Sequence, residues 1–253
     1  MKFILGKKIE MTQVWKDGNT VGVTKVEVGP CTVVQVKNDK KDGYTAVQVG
    51  YGVKKEKNIK KPQIGHFKGL DNFRYLKEFR VKNEEVTLKR GDRFDISSFE
   101  VGDAINFSAV SKGKGFQGVV KRHGFAGQIK THGTKDQVRM PGSIGATGPA
   151  HVFKGTRMGG RMGGDQVTFN GGEIIDIDVE KNILYIKGGV PGARNTLVSF
   201  NAPGEIKVLS EETSEKEEDK KTEDTPANLE QKKEEDVSDK KKVEEKKEEV
   251  VNK

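Results

Sequence analysis

Residues 111–165 read SKGKGFQGVVKRHGFAGQIKTHGTKDQVRMPGSIGATGPAHVFKGTRMGGRMGGD. The stretch holds ten Lys and Arg against two acids, Asp136 and Asp165, with fourteen of the chain's 31 glycines and three of its four histidines. It has too few apolar residues to offset, by burial, the entropy of ordering its backbone. Strand-like sequence flanks it on both sides, and an unstructured loop of this length is unusual inside a folded domain. The two facts reconcile if a polyanionic partner orders the segment. The chain then divides into a β body (residues 1–110 and 166–208), a basic Gly-rich extension inserted into it (111–165) and a C-terminal tail (209–253).

Working outward, the flanks alternate with a period of two. Val21 and Val23 alternate with polar residues, as do Val26 and Val28, and the change of phase near Thr24–Lys25 predicts a bulge. Val34 and Val36 continue the pattern. The run Asn38 to Gly43 reads as a turn, and Thr45, Val47, Val49 and Tyr51 share one face of the next strand. Pro62 opens a short helix to about Leu70. Phe73, Tyr75, Phe79 and Val81 alternate again. Arg90-Gly91-Asp92 and Gly102-Asp103 punctuate two more strands, the second being Ala104 to Val110. Beyond the extension, Gln166–Phe169, Ile174–Val179, Ile183–Lys187 and Thr196–Phe200 resume the β pattern, with a hairpin turn at Glu180-Lys181-Asn182. This is half-buried antiparallel sheet, and a mainly β fold with a small β-barrel follows.

The net charge of +8 conceals an asymmetry. The tail carries eleven Lys and seventeen Asp or Glu, a net −6, which leaves +14 on residues 1–208. So basic a body points to nucleic acid or an anionic surface, while the Lys/Glu-rich tail has the composition of a disordered segment. Cys31 is the sole cysteine, so no internal disulfide forms, which fits a reducing cytoplasm. The apolar run Phe3-Ile4-Leu5 is too short for a signal peptide or a membrane span. A soluble intracellular protein without a membrane partner is expected.

Gly113-Lys114-Gly115-Phe116-Gln117-Gly118 matches G-x-G-x-x-G. The dinucleotide reading also requires a βαβ unit and an acid about 20 residues on. Asp136 is roughly placed, but no second parallel strand intervenes and Lys121 and Arg122 follow at once. The better reading is a close approach of backbone to phosphate at Gly113, Gly115 and Gly118, with Lys114, Lys121 and Arg122 beside it. There is no phosphate-binding G-x-x-x-x-G-K-[ST] run and no defensible Ser/His/Asp arrangement. No catalytic residue, cofactor or small-molecule substrate is therefore expected. His123, His132 and His151 are spaced by 9 and 19 residues with no cysteine near, a pattern unlike common zinc sites. No metal is expected, and the imidazoles read as groups that stack on bases or bond phosphates. His66, beside Phe67, reads as a helix–barrel contact or a further RNA contact. Arg139, Arg157 and Arg161 near Phe153 suit stacking on unpaired bases. Lys112, Lys130, Lys135 and Lys154 complete the charge. The Lys54–Lys61 run has a weaker claim.

The run Phe99, Asn106, Ala109-Val110-Ser111-Lys112-Gly113-Lys114-Gly115, Gly118 and Arg122 resembles the signature of the universal large-subunit ribosomal protein number three family, bacterial type. Pro62-Gln63-Ile64-Gly65-His66-Phe67, Arg139-Met140-Pro141-Gly142-Ser143-Ile144-Gly145 and Val190-Pro191-Gly192 are similar to that family too. The resemblance covers residues 1–208 and omits the tail. It implies a barrel of the translation-protein type on the outside of the large subunit. It implies an extension threading into large-subunit rRNA towards the peptidyl-transferase centre, with Gly142 to Phe153 near its tip and backbone approach at Gly142 and Gly145. It further implies binding early in assembly, with neighbouring ribosomal proteins as partners. Ala146 stands where some bacterial members carry a modifiable Gln, so that modification is not expected.

Overall fold

A computed structural model describes residues 1–16, 18–81 and 88–209. The remainder of the expected tail, 210–253, lies outside the described residues. Among the described residues twelve strands form: β1 (Lys2–Lys16), β2 (Asn19–Val28), β3 (Cys31–Lys37), β4 (Ala46–Val53), β5 (Phe73–Arg80), β6 (Arg93–Phe94), β7 (Ala104–Val110), β8 (Phe116–Gln117), β9 (Gly160–Arg161), β10 (Gln166–Asp178), β11 (Ile183–Lys187) and β12 (Leu197–Ala202). Three short α-helices accompany them there, α1 (Asp39–Asp42), α2 (Lys61–His66) and α3 (Val119–His123).

The expected barrel is present, closed in the order β1-β12-β7-β10-β11-β2. It draws on fewer of the early strands than their alternation suggested. β3 to β6 leave it and build a separate four-stranded sheet in the order β5-β4-β3-β6. Every pairing among the described residues is antiparallel. No βαβ unit exists there to support a dinucleotide site.

One core joins barrel and sheet. Phe3 of β1 stacks on Phe79 of β5 with ring centroids 4.6 Å apart and meets Phe94 of β6 edge-on at 5.8 Å. Phe3, Ile4 and Leu5 are all buried because β1 has barrel on one side and sheet on the other. Polar groups stitch the same seam: Tyr51 donates to the Glu27 carbonyl at 3.2 Å, and Lys77 donates to Ser199 Oγ at 2.8 Å. The sheet is not half-buried as its alternation suggested. Val47, Val49 and Tyr51 face the shared core, while Val34, Ile59, Phe67 and Phe73 form a second apolar cluster with Ile64, Leu70 and Leu76. The loop and helix between β4 and β5 cover that other face.

Three local expectations change. The helix from Pro62 stops at His66, not Leu70, and Phe67 turns inward as its cap. His66 meets the sheet, not the barrel, donating through Nε2 to Gln48 Oε1 at 2.6 Å. The irregularity expected near Thr24–Lys25 sits opposite, on β1, where Lys8 pairs with Val26 and Glu10 with Lys25, so Ile9 is the extra residue. Gly43, with φ 75°, closes the Asn38–Gly43 turn as the left-handed cap of α1.

Candidate nucleic-acid interface

The arm grows from the hairpin of β7 and β10. Their ladder ends with Gln166 opposite Val110, and the two chains stay together beyond it. Ser111 N–H donates to the Asp165 carbonyl at 2.9 Å, Lys114 N–H to Met162 O at 2.9 Å, and Met162 N–H to Gly115 O at 3.0 Å. β8 and β9 then pair, Phe116 with Arg161 and Gln117 with Gly160. Of the expected approach glycines, Gly113, Gly115 and Gly118 thus lie in a stem, whereas Gly142 and Gly145 lie in the exposed stretch beyond it. Gly115 and Gly163 hold φ of +68° and +72°, and a Cβ at Gly163 would collide with the Lys112 carbonyl oxygen. Gly118 starts α3, and Gly124, with φ 73°, ends it with an N–H bond to Val120 O.

Arg122 and His123 brace the stem. Arg122 Nη1 donates to the Met158 carbonyl at 2.8 Å, and His123 Nε2 lies 3.0 Å from the same oxygen. A carbonyl only accepts, so His123 carries its proton on Nε2 in this contact. Gly160 leaves room for the Arg122 guanidinium; a Cβ there would sit 2.8 Å from Nη1. Further out, Gln128 N–H donates to Val138 O at 2.9 Å, and Lys135–Arg139 make a 3-10 turn. His132 and Lys135 take positive φ, 57° and 39°. From Met140 to Met158 every residue is exposed, and the hydrogen bonds that the side chains of this stretch themselves donate are local, such as Ser143 Oγ to Gly145 O at 3.0 Å. The His151 ring meets Phe153 edge-on at 5.7 Å.

Among the described residues, ion pairs are confined to the body: Lys2–Asp103, Lys7–Glu27, Lys16–Glu173, Lys25–Glu10, Lys37–Glu78, Arg93–Asp71, Lys181–Asp178 and Lys187–Glu173. None of the arm's ten cations takes part. Lys112, Lys114, Lys121, Lys130, Lys135, Lys154, Arg139, Arg157 and Arg161 are all exposed. At the arm's root, Lys8 donates to the Val190 and Gly192 carbonyls, and burial together with nearby Lys112 lowers its pKa. Exposed apolar groups are interleaved with these charges: Phe116 is 79% exposed, with Ile129, Met140, Ile144 and Phe153 also open. Phe116 is the functional candidate that sequence reasoning passed over. It filled a position in the glycine pattern, although an aromatic set among Gly and Lys was signal enough to single it out. Among the described residues, no group of His, Cys, Asp or Glu is arranged to hold a metal.

A ribbon with uncompensated cations, open aromatics and glycine hinges suits a polyanion with unpaired bases. Comparison with known proteins supplies the family. The profile of the family described as Ribosomal protein L3 matches residues 82–181. The chain is 46% identical over 200 residues to large ribosomal subunit protein uL3 of Pelotomaculum thermopropionicum, covering 78% of this chain and 94% of that one. The chain belongs to the uL3 family. Further uL3 relatives include that of Prochlorococcus marinus strain MIT 9215, 46% identical over 201 residues (78% of this chain, 92% of the relative). That of Fervidobacterium nodosum is 45% identical over 201 residues (78% and 96%). The uL3 proteins are structural ribosomal proteins, not enzymes, which disposes of the nucleotide-dependent reading of the glycine run. The resemblance read from Ser111 to Arg122 is thereby confirmed at the level of the family.

Proposed function

We propose that the arm binds large-subunit rRNA directly and makes the chain a structural constituent of the large ribosomal subunit in the cytoplasm. The observation that carries this is the contrast in charge compensation: among the described residues eight of the body's cations pair with carboxylates, and none of the arm's ten does. Phosphate supplies the missing counter-charge, and release of condensed counterions supplies the affinity. Lys112, Lys114, Lys121, Lys130, Lys135, Lys154, Arg139, Arg157 and Arg161 make the charge contacts. Phe153, His132 and His151 stack on bases, and Gly113, Gly115, Gly118, Gly142 and Gly145 let the backbone approach. Arg122 and His123 hold the two stem chains together while facing the same RNA. Uptake early in assembly, reach towards the peptidyl-transferase centre and contact with neighbouring ribosomal proteins belong to the same proposal, and family membership supports them.

Salt dependence tests the reading. Ten neutralised phosphates give a log-affinity slope of about −7 to −9 against log salt from the arm alone. Replacing residues 125–160, which carry Lys130, Lys135, Arg139, Lys154 and Arg157, with a neutral linker flattens the slope by about 3.5–4.5. An unchanged slope refutes the arm as the main contact. Sucrose gradients add a second readout: a stoichiometric component stays with the large subunit through a moderate salt wash, whereas a free RNA chaperone washes off.

A further inference from the structure

The segment between β4 and β5 carries Lys54, Lys55, Lys57, Lys60, Lys61 and Lys68 against two acids, Glu56 and Asp71, the second of which pairs with Arg93. None of these lysines is in an ion pair among the described residues, although the same sheet pairs Lys37 with Glu78 at 2.7 Å and Arg93 with Asp71 at 3.1 Å. A solvated lysine run needs no scaffold, yet this one has two. Ile59 and Phe67 are buried at its middle and end, in the cluster with Val34 and Phe73. Polar bonds hold the rest. Lys54 N–H donates to Asn72 O at 2.8 Å, and His66 bonds Gln48, which donates to Glu78 at 3.2 Å. Arg90 Nη2 donates to the His66 and Lys68 carbonyls at 2.9 and 3.1 Å, adding a further cation.

The placement matters. Side chains alternate across a strand. Val47 and Val49 of β4 face the core shared with the barrel, so Gln48 and the covering segment occupy the face turned away from it. The arm issues from β7 and β10 of the barrel, across that core. We propose that Lys55, Lys57, Lys60 and Lys61 form a second, preformed phosphate-binding surface, which grips a segment of RNA backbone distinct from the one the arm enters. The segment carries no exposed aromatic ring, so it positions the protein on phosphates without reading bases. That the RNA is rRNA rests on the function proposed above.

The test uses full-length protein with Lys55, Lys57, Lys60 and Lys61 all changed to Gln, beside a second variant carrying Arg139→Gln, Lys154→Gln and Arg157→Gln. Both bind large-subunit rRNA across a salt series and are footprinted with hydroxyl radicals. Protection of the buried Cys31 thiol reports that each is folded. The four-lysine variant flattens the salt slope by about 3–3.5 and loses protection at nucleotides that the arm variant still protects; Lys→Arg at the same four positions restores both. An unchanged slope and footprint overturn the proposal, and so does loss of the same nucleotides in both variants. A change confined to binding of a ribosomal protein also overturns it. If only the arm variant behaves as wild type, the arm reading fails and this one stands.

Discussion

Gly163 and Gly118 lie in the same stem and differ in what a methyl group would meet. Gly163 holds φ +72° with the Lys112 carbonyl in the path of any Cβ, whereas Gly118 has φ −70° and nothing within 4 Å. Gly163→Ala therefore costs about 1–3 kcal/mol in the stem. It raises amide exchange at Lys114 and Met162, whose N–H groups donate across the stem to Met162 O and Gly115 O, and weakens rRNA binding. Gly118→Ala leaves that exchange near wild type. Equal exchange in the two variants contradicts this account of the stem. Cys31 supplies a second residue-scale check. Its thiol is buried, and desolvation pushes its pKa up to about 12, so the reactive thiolate is scarce at neutral pH. Alkylation is expected only as the body unfolds, and rapid labelling of native protein contradicts the buried placement.

At the scale of elements, the legible strands were those with strong alternation between firm punctuation. Ala104–Val110 and Ile183–Lys187 match the expected bounds, one opened by Gly102-Asp103 and the other by the Glu180–Asn182 turn. β10 was not legible as one strand. Asn170-Gly171-Gly172 reads as a break, yet the chain passes through it. Gly171 takes φ +76° and donates to Asn106 Oδ1 at 3.0 Å, while Gly172 admits the Phe107 ring. A bulge and a loop share the same glycine signal, and only the cross-strand partner tells them apart. Nor does alternation say which sheet a strand joins, so β3 to β5 read as barrel strands. The arm's chemistry was plain in its composition, but the bracing by Arg122 and His123 was not, because the Met158 carbonyl lies 36 and 35 residues away in sequence. Neither apolar cluster includes a residue of 111–165. Replacing 125–160 with a short linker therefore leaves a body that unfolds in one cooperative transition, measured by denaturant titration. Loss of that transition contradicts the modular view.

For the whole molecule, the sign of charge changes along the chain: +14 over residues 1–208 and −6 over 209–253. Like charge repels phosphate, so removing 209–253 does not reduce rRNA affinity. Non-specific binding tightens instead, because an acidic segment tethered to a basic one competes with nucleic acid for it. Filter binding to rRNA and to unrelated RNA measures both effects, and a drop in rRNA affinity on truncation contradicts the prediction. On the function proposed above, the arm depends on an anionic partner for counter-charge; seven of the body's acids already pair with its own cations among the described residues.

Photo-crosslinking of the assembled large subunit, with peptides and nucleotides both identified, tests that dependence most directly. Peptides spanning Arg139 to Arg161 are expected to carry large-subunit rRNA nucleotides at high yield. Recovery of the protein in the particle with those peptides unmodified, and crosslinks confined to the barrel strands, would contradict it.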